Sequence, residues 1–336
     1  MARRAFLLGG SGQTGRALLP RLQERGWDVV VGSRGRRPLP DGVAHVQVDR
    51  NDDAALREAL GGNVDVLVDF VAFEPQHADQ LLALRDRVRS LVVLSSAAVY
   101  VDGQGCGFEP PDELPQLPVP VGERQPTAKP GPATYAMRKA AIEQTLLAQR
   151  DVPVTVVRPG TIYGPHSVLP REWFFVKRVL DGRPVVVLGD RGRSRFQPVS
   201  VHNLAELIWL AAERPGRRAL NGADPEAPTV LEISRAVAAE LGHEWTEILV
   251  EGTPGVGETP WSLPHPFVLD MTEAEFEVGY RPVTHYRKAL PEAVEWLVGE
   301  TKSRPWQEVL PRAAELMKDD FDYSAEDDFV RGLTAG

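Results

Sequence analysis

Short apolar runs alternate along this chain with segments of amphipathic character. Ala5–Leu8, Trp27–Val31, His45–Val48, Asn63–Phe70, Leu91–Leu94 and Val154–Arg158 have the length of strands. Between them, Arg16–Arg25, Asp52–Leu60, Gln76–Val88 and Tyr135–Arg150 carry apolar residues at helical spacing. Strands that are apolar along their length are buried on both faces, so the alternation predicts an α/β protein with a doubly wound parallel sheet covered by helices. Right-handed crossovers then place the turn after the first strand at the carboxyl end of the sheet, where ligands bind in such folds.

After Pro165 the pattern becomes irregular. It predicts helices at Glu172–Leu180, His202–Ala212, Val230–Leu241 and Tyr286–Val298, and strands at Pro184–Leu188 and Glu247–Val250. Residues 1–164 read as one domain to which 199–222 returns, and residues 165–198 and 223–300 as a smaller α/β cap. The acidic tail, 301–336, reads as a solvated C-terminal extension. Between Phe108 and Pro132 lie eight prolines, an unusually long structureless stretch of the kind that often forms a functional loop.

Composition narrows the picture. The single cysteine, Cys106, excludes an intramolecular disulfide and a cysteine-rich zinc site. The seven histidines show no close pairing, so no metal site is expected. The formal charge of −9 argues against bulk binding to nucleic acid or anionic membranes. No apolar stretch reaches the length of a membrane span, and Ala5–Leu8 is too short for a signal sequence. These features predict a soluble, cytoplasmic protein.

Candidate chemistry starts at the first turn. Gly9, Gly12 and Gly15 follow a strand and open a helix, with Ser11, Gln13 and Thr14 between them. Glycines there permit a tight turn and close approach of a pyrophosphate to backbone N–H groups at a helix N-terminus. After the second strand, where an acidic residue would hold the ribose hydroxyls of NAD, the chain reads Gly32-Ser33-Arg34-Gly35-Arg36-Arg37. Ser33 and the Arg34 guanidinium suit a 2′-phosphate, which places NADP ahead of NAD.

Tyr135 and Lys139 open the long helix four residues apart, hence on one face. An ammonium near the phenol would lower its pKa and let it exchange a proton with a substrate oxygen while hydride moves to or from a nicotinamide. Ser95-Ser96, at the end of the fifth strand, can supply a hydroxyl to hold that oxygen.

With these residues assembled, the chain resembles the extended branch of the short-chain dehydrogenase/reductase superfamily, the NAD(P)-dependent epimerase/dehydratase family. The resemblance rests on Gly9-x-x-Gly12-x-x-Gly15, Asp49, Ser95-Ser96-Ala97-Ala98-Val99-Tyr100, Tyr135-x-x-x-Lys139 and Arg158-Pro159-Gly160-Thr161-Ile162-Tyr163-Gly164-Pro165. It spans about residues 5–298 and implies a Rossmann-type domain with a substrate-binding cap, and a homodimer. It makes Ser96 the hydroxyl that orients the substrate oxygen, Tyr135 the acid/base, and Lys139 the group that lowers the Tyr135 pKa and binds the nicotinamide ribose. It places Asp49 at the adenine and Phe70, Val71, Ala72, Ser95, Pro159, Gly160 and Ile162 along the cofactor. Ala97, His166 and Arg195 join Ser96 and Tyr135 on the substrate side. Arg195 stands out of register with the Arg-Asp pattern of nucleotide-sugar enzymes, and Ser200 and Asn203 replace its His and Asp, which argues against a nucleotide-diphosphate substrate. Ala97-Ala98 replace the acidic pair of sugar 4,6-dehydratases, which argues against dehydration.

The expected function is an NADP-dependent oxidoreductase acting on a hydroxyl or carbonyl carbon of a polar, sugar-derived small molecule. Epimerisation with retained cofactor uses the same residues. A non-catalytic, RNA-binding member of the fold is the alternative from another class, and the net charge weighs against it.

Overall fold

A computed structural model describes residues 2–109, 114–252 and 255–334. Pro110 and Pro111 of the proline-rich stretch lie outside the described residues. In chain order the elements are β1 (Arg4–Leu8), α1 (Gln13–Glu24), β2 (Asp28–Ser33), β3 (Ala44–Gln47), α2 (Asp53–Ala59), β4 (Val66–Asp69), α3 (Gln76–Ala83), β5 (Leu91–Leu94), α4 (Tyr135–Ala148), β6 (Val154–Pro159), β7 (Thr161–Tyr163), α5 (Trp173–Leu180), β8 (Val185–Leu188), β9 (Pro198–Ser200), α6 (Val201–Glu213), β10 (Arg218–Gly222), α7 (Val230–Glu240), β11 (Thr246–Leu249), α8 (Thr272–Val278), α9 (Tyr286–Thr301), α10 (Trp306–Val309), α11 (Pro311–Leu316) and α12 (Ser324–Thr334).

The chain divides into two units. The first comprises Met1–Gly160, Val201–Asp224 and Leu269–Thr284. It holds a parallel sheet of seven strands in the order β10-β6-β5-β4-β1-β2-β3. β1 lies at the switch point of strand order, with Leu8 opposite Gly32 on one side and Asp69 on the other. The turn after β1 therefore opens where the crossovers diverge to the two faces of the sheet, the position that favours ligand binding. Phe6, Leu8, Leu67, Val93 and Val156 build one core with Leu56, Leu81, Ile142 and Leu146 of the covering helices.

The segment Leu269–Thr284, which the sequence reading places in the cap, belongs to this first unit. Buried polar groups tie it there. The Asn203 amide donates to the Thr284 carbonyl and the Asp224 carboxylate, and its oxygen accepts from the N–H groups of Val283 and Thr284. Asn221 likewise donates to the carbonyls of Val121 and Asp270.

The second unit comprises Thr161–Ser200, Pro225–Val268 and His285–Gly336. It contains two small parallel pairs, β8 with β11 and β7 with β9, around an aromatic core of Trp173, Phe175, Trp261 and Tyr286. The expected solvated tail is a correction. Leu310, Ala313 and Met317 recur at helical spacing and are buried in this core, with Trp306 and Phe321 packed against it. Acidic pairs such as Asp319-Asp320 mask that face when the tail is read by composition.

Other differences are local. α1 begins at Gln13, inside the glycine turn, and keeps Pro20 within it. α3 ends at Ala83, and β4 spans only Val66–Asp69. The three-residue strands β7 and β9, and β10 and α8, escape pattern reading because they are short or carry polar residues.

Candidate active site

The carboxyl ends of β1, β2, β4 and β5 supply the residues of the first unit's candidate site. Gly9 adopts φ +79°, and a Cβ there would lie 2.6 Å from the Val71 side chain. A Cβ on Gly15 would run into the backbone of Gly10. Both glycines are therefore needed to close the turn against α1 and the β4 end. Gly12 caps α1 without a side-chain bond, so the helix N-terminus is left to backbone donors, as an anion site requires. Thr14 and Gly15 are buried in the first turn of α1, and Ser11 offers its carbonyl to Arg16 Nε at 3.1 Å.

The loop after β2 brings a cation to this turn. Arg37 Nη1 lies beside Gly12, at 4.0 Å from where its Cβ would be. Arg16 donates to the Pro38 carbonyl, and its pKa is lowered by burial and by the Arg37 charge. Ser33 Oγ bonds His45 Nε2 at 2.9 Å and accepts from Gly35 N at 3.3 Å, which fixes the loop. Arg34 is exposed. Sequence reasoning did not single out Arg16, His45 or the placement of Arg37, because their convergence depends on how 34–38 folds back. Asp49 is exposed and caps the turn into α2 by accepting from Asn51 N at 3.0 Å.

Phe70, Val71 and Ala72 follow β4. Phe70 N donates to the Leu8 carbonyl and Val71 N to Asp69 Oδ1. Asp69 is fully buried and paired with Arg50 Nη1 at 2.7 Å, so its charge is compensated inside the sheet. The Ala72 carbonyl accepts from Lys139 Nζ at 2.7 Å, and the Leu94 carbonyl accepts from the same ammonium at 2.8 Å. Lys139 is 2% exposed, lies under the Phe73 ring at 4.7 Å and stands 5.7 Å from the centre of the Tyr135 ring. Burial pushes its pKa down to about 8, against the opposing pull of Asp69 and Glu143.

Thr134 caps α4 by accepting from Met137 N, which sets Tyr135 at the helix start. The Ser96 side chain lies close enough to the Tyr135 phenol to favour its ionised form. Ser96 Oγ also accepts from Ala98 N at 3.1 Å, capping the short turn Ala97–Val99. Ser96, Tyr135 and Lys139 thus lie together, with Ala97 buried next to Ser96. The Tyr135 pKa is raised, chiefly by burial, although Ser96 works the other way. The Lys139 ammonium, held by the Ala72 and Leu94 carbonyls, is not among the groups that set this direction.

Ser95 is buried with its hydroxyl on Glu143 rather than open to a cofactor. Pro159 ends β6, and Gly160 N donates to the Gly222 carbonyl at 2.9 Å. Ile162, His166 and Arg195 belong to the second unit. Ile162 pairs with Val199. His166 has φ 63° and stacks edge-on with Trp296 at 5.6 Å. Arg195 donates to the Ala227 carbonyl and lines a cavity of about 290 Å³ with Glu226, Glu232, Tyr286 and Arg287.

A seven-stranded parallel sheet with a glycine turn at its switch point has the architecture of a Rossmann-type dinucleotide-binding domain. The profile of the NAD dependent epimerase/dehydratase family matches residues 5–222, and the chain belongs to that family. It is 24% identical over 266 residues to the chloroplast stem-loop binding protein of 41 kDa b of Arabidopsis thaliana, covering 74% of this chain and 65% of that protein. It is 29% identical over 219 residues to 2'-dehydrokanamycin reductase of Streptomyces kanamyceticus, covering 61% and 58% respectively. The matches therefore span less than two thirds of either relative. Among solved structures, UDP-glucose 4-epimerase of Thermus thermophilus in complex with NAD shares the fold, with TM-score 0.66 and 23% identity over 87% of this chain and 98% of that one.

Proposed function

We propose that this protein is an NADP-dependent reductase that delivers hydride to the carbonyl carbon of a polar small molecule, with Ser96, Tyr135 and Lys139 managing the proton. The observation that carries this reading is that Ser96 faces the Tyr135 phenol, with a buried Lys139 on the same helix face 5.7 Å from the Tyr135 ring. Ser96 and Tyr135 would grip the carbonyl oxygen together. As charge develops on that oxygen, the Tyr135 hydroxyl donates its proton, and the nearby ammonium stabilises the phenolate left behind. The glycine turn and α1 N-terminus would hold the pyrophosphate, and the bound nicotinamide would supply the hydride.

Arg16 and Arg37 support NADP over NAD, since two guanidiniums crowded at the glycine turn tolerate each other best with a phosphate between them, and exposed Arg34 lies on the same loop as Arg37. Calorimetric titration should show NADPH binding more than about tenfold tighter than NADH, a difference of ~1.4 kcal/mol. Arg34→Glu or Arg37→Glu should remove that difference by weakening NADPH alone. Equal weakening for both nucleotides would contradict the assignment.

The similarity to 2'-dehydrokanamycin reductase favours a keto-sugar or comparable ketone as substrate class. Epimerisation with retained cofactor shares every residue named, and net NADPH consumption separates the two. The likeness to a stem-loop binding protein favours a second reading as an RNA binder. A salt-dependent mobility shift of a labelled RNA hairpin at near-physiological ionic strength tests it.

A further inference from the structure

Helix α4 meets the end of β5 at three successive turns. Tyr135 faces the Ser96 side chain, Lys139 Nζ bonds the Leu94 carbonyl, and the Glu143 carboxylate accepts from the Ser95 hydroxyl. Residues 135, 139 and 143 are four apart and share one helix face. Three consecutive residues of the strand end are thus matched to three turns of helix. The first two contacts belong to the candidate catalytic set, and the third does not.

Glu143 is itself held. Arg158 donates from Nε to Oε1 at 3.2 Å and to Oε2 at 3.0 Å and from Nη2 to Oε2 at 2.5 Å, a pair in which the arginine side chain is 7% and the glutamate 4% exposed. Arg158 Nη1 also reaches the Tyr100 hydroxyl at 3.2 Å and the Glu123 carbonyl at 3.1 Å. The Tyr100 hydroxyl in turn donates to Asn221 Oδ1 at 2.6 Å, and the Asn221 N–H donates to the Glu123 carboxylate at 2.7 Å. A buried ion pair is often no more stabilising than well-packed apolar residues of similar volume, so its presence asks for another role. Arg158 anchors it on β6, the strand adjacent to β5.

We propose that the Glu143–Arg158 pair is a positioning device that fixes the Ser95 hydroxyl and so sets the register in which Ser96 meets Tyr135 and Leu94 meets Lys139. Glu143 acts through Ser95 and touches no reacting atom. The inference rests on the reading of Ser96, Tyr135 and Lys139 given above, but its test needs no substrate.

The test follows Tyr135 ionisation by NMR of protein with carbon-labelled tyrosine rings, the Tyr135 signal being assigned by its loss in Tyr135→Phe. Ser96 holds the Tyr135 pKa down, while burial and Glu109 hold it up. If Ser95 loses its anchor, Ser96 shifts from the phenol and Tyr135 should titrate higher. Ser95→Ala, which leaves the ion pair intact, is expected to raise the Tyr135 midpoint, because Ser96 no longer sits where it favours the phenolate. Glu143→Gln keeps the side-chain volume and is expected to shift it in the same direction. Loss of a carboxylate's field alone would shift it downward, so the sign separates positioning from electrostatics. A Tyr135 that titrates as in the parent protein in Ser95→Ala, or lower in Glu143→Gln, overturns the proposal. Ketone reduction that survives Tyr135→Phe would remove the catalytic reading instead, and leaves the titration result standing.

Discussion

Lys139 concentrates the cost and the use of the site in one side chain. It is buried under Phe73 with its ammonium on two carbonyls, and burial holds its pKa at about 8 against an ordinary value near 10.4. Asp69, Arg50, His77 and Glu143 are the charged or titratable groups that face it. Between about pH 8 and pH 10.5 the unfolded chain binds the proton that the folded chain has released, so stability gained from this group rises with pH through that window. Lys139→Met should therefore be relatively most stabilised at pH 7, and its advantage in Tm over the parent should shrink as pH rises toward about 10. A gap that widens with pH would contradict the account of a strained, charged lysine. At this scale the sequence made legible the positions that local spacing sets, as for Tyr135 and Lys139 on one helix face, or that a strand end sets, as for Ser96. It was silent on Arg16, His45 and Arg37, whose approach is set by a loop that returns over the glycine turn.

At the scale of elements, the first unit was legible because its strands are buried on both faces and therefore unbroken in apolarity. β5 was read to the residue, and the other edges moved by a few positions where polar residues enter a strand or a turn tightens. The second unit was less legible, since β7 and β9 have three residues each and find their partners only through pairing with one another. In the proposed function the glycine turn is the element that holds the cofactor's pyrophosphate. Gly15→Ala places a methyl group against the Gly10 backbone, which has no flexible atom to yield. Calorimetry should show NADPH affinity reduced by more than about tenfold, or ~1.4 kcal/mol, with far-ultraviolet circular dichroism unchanged. Unaltered affinity would mean that the turn does not hold the pyrophosphate.

On the scale of the whole molecule, two units with separate cores carry the chain. No helix among the described residues is long and apolar enough to cross a membrane. The tail is part of the second unit's core, with Met317 1% exposed among Leu310, Ala313 and aromatic neighbours. Arg178 and Arg183 bind Glu326 and Asp327 of α12, and Arg178 stacks on Phe174 at 3.6 Å. Met317→Ala should cost about 2–5 kcal/mol, visible as an earlier unfolding transition in calorimetry. A transition at the parent temperature would return the tail to the status of an extension. Two of the acidic residues that made the tail look solvated, Glu326 and Asp327, are held in ion pairs, an arrangement that composition does not reveal.

The most direct test of the reductase reading is NADPH oxidation followed by absorbance during turnover of a keto-sugar, in the parent protein and in Tyr135→Phe. One NADPH should disappear for each alcohol formed. Tyr135→Phe should lower the rate by about 10²–10⁴-fold, the range for loss of a general acid, while binding NADPH as before. Product formed without loss of NADPH, or an undiminished rate in Tyr135→Phe, would contradict it.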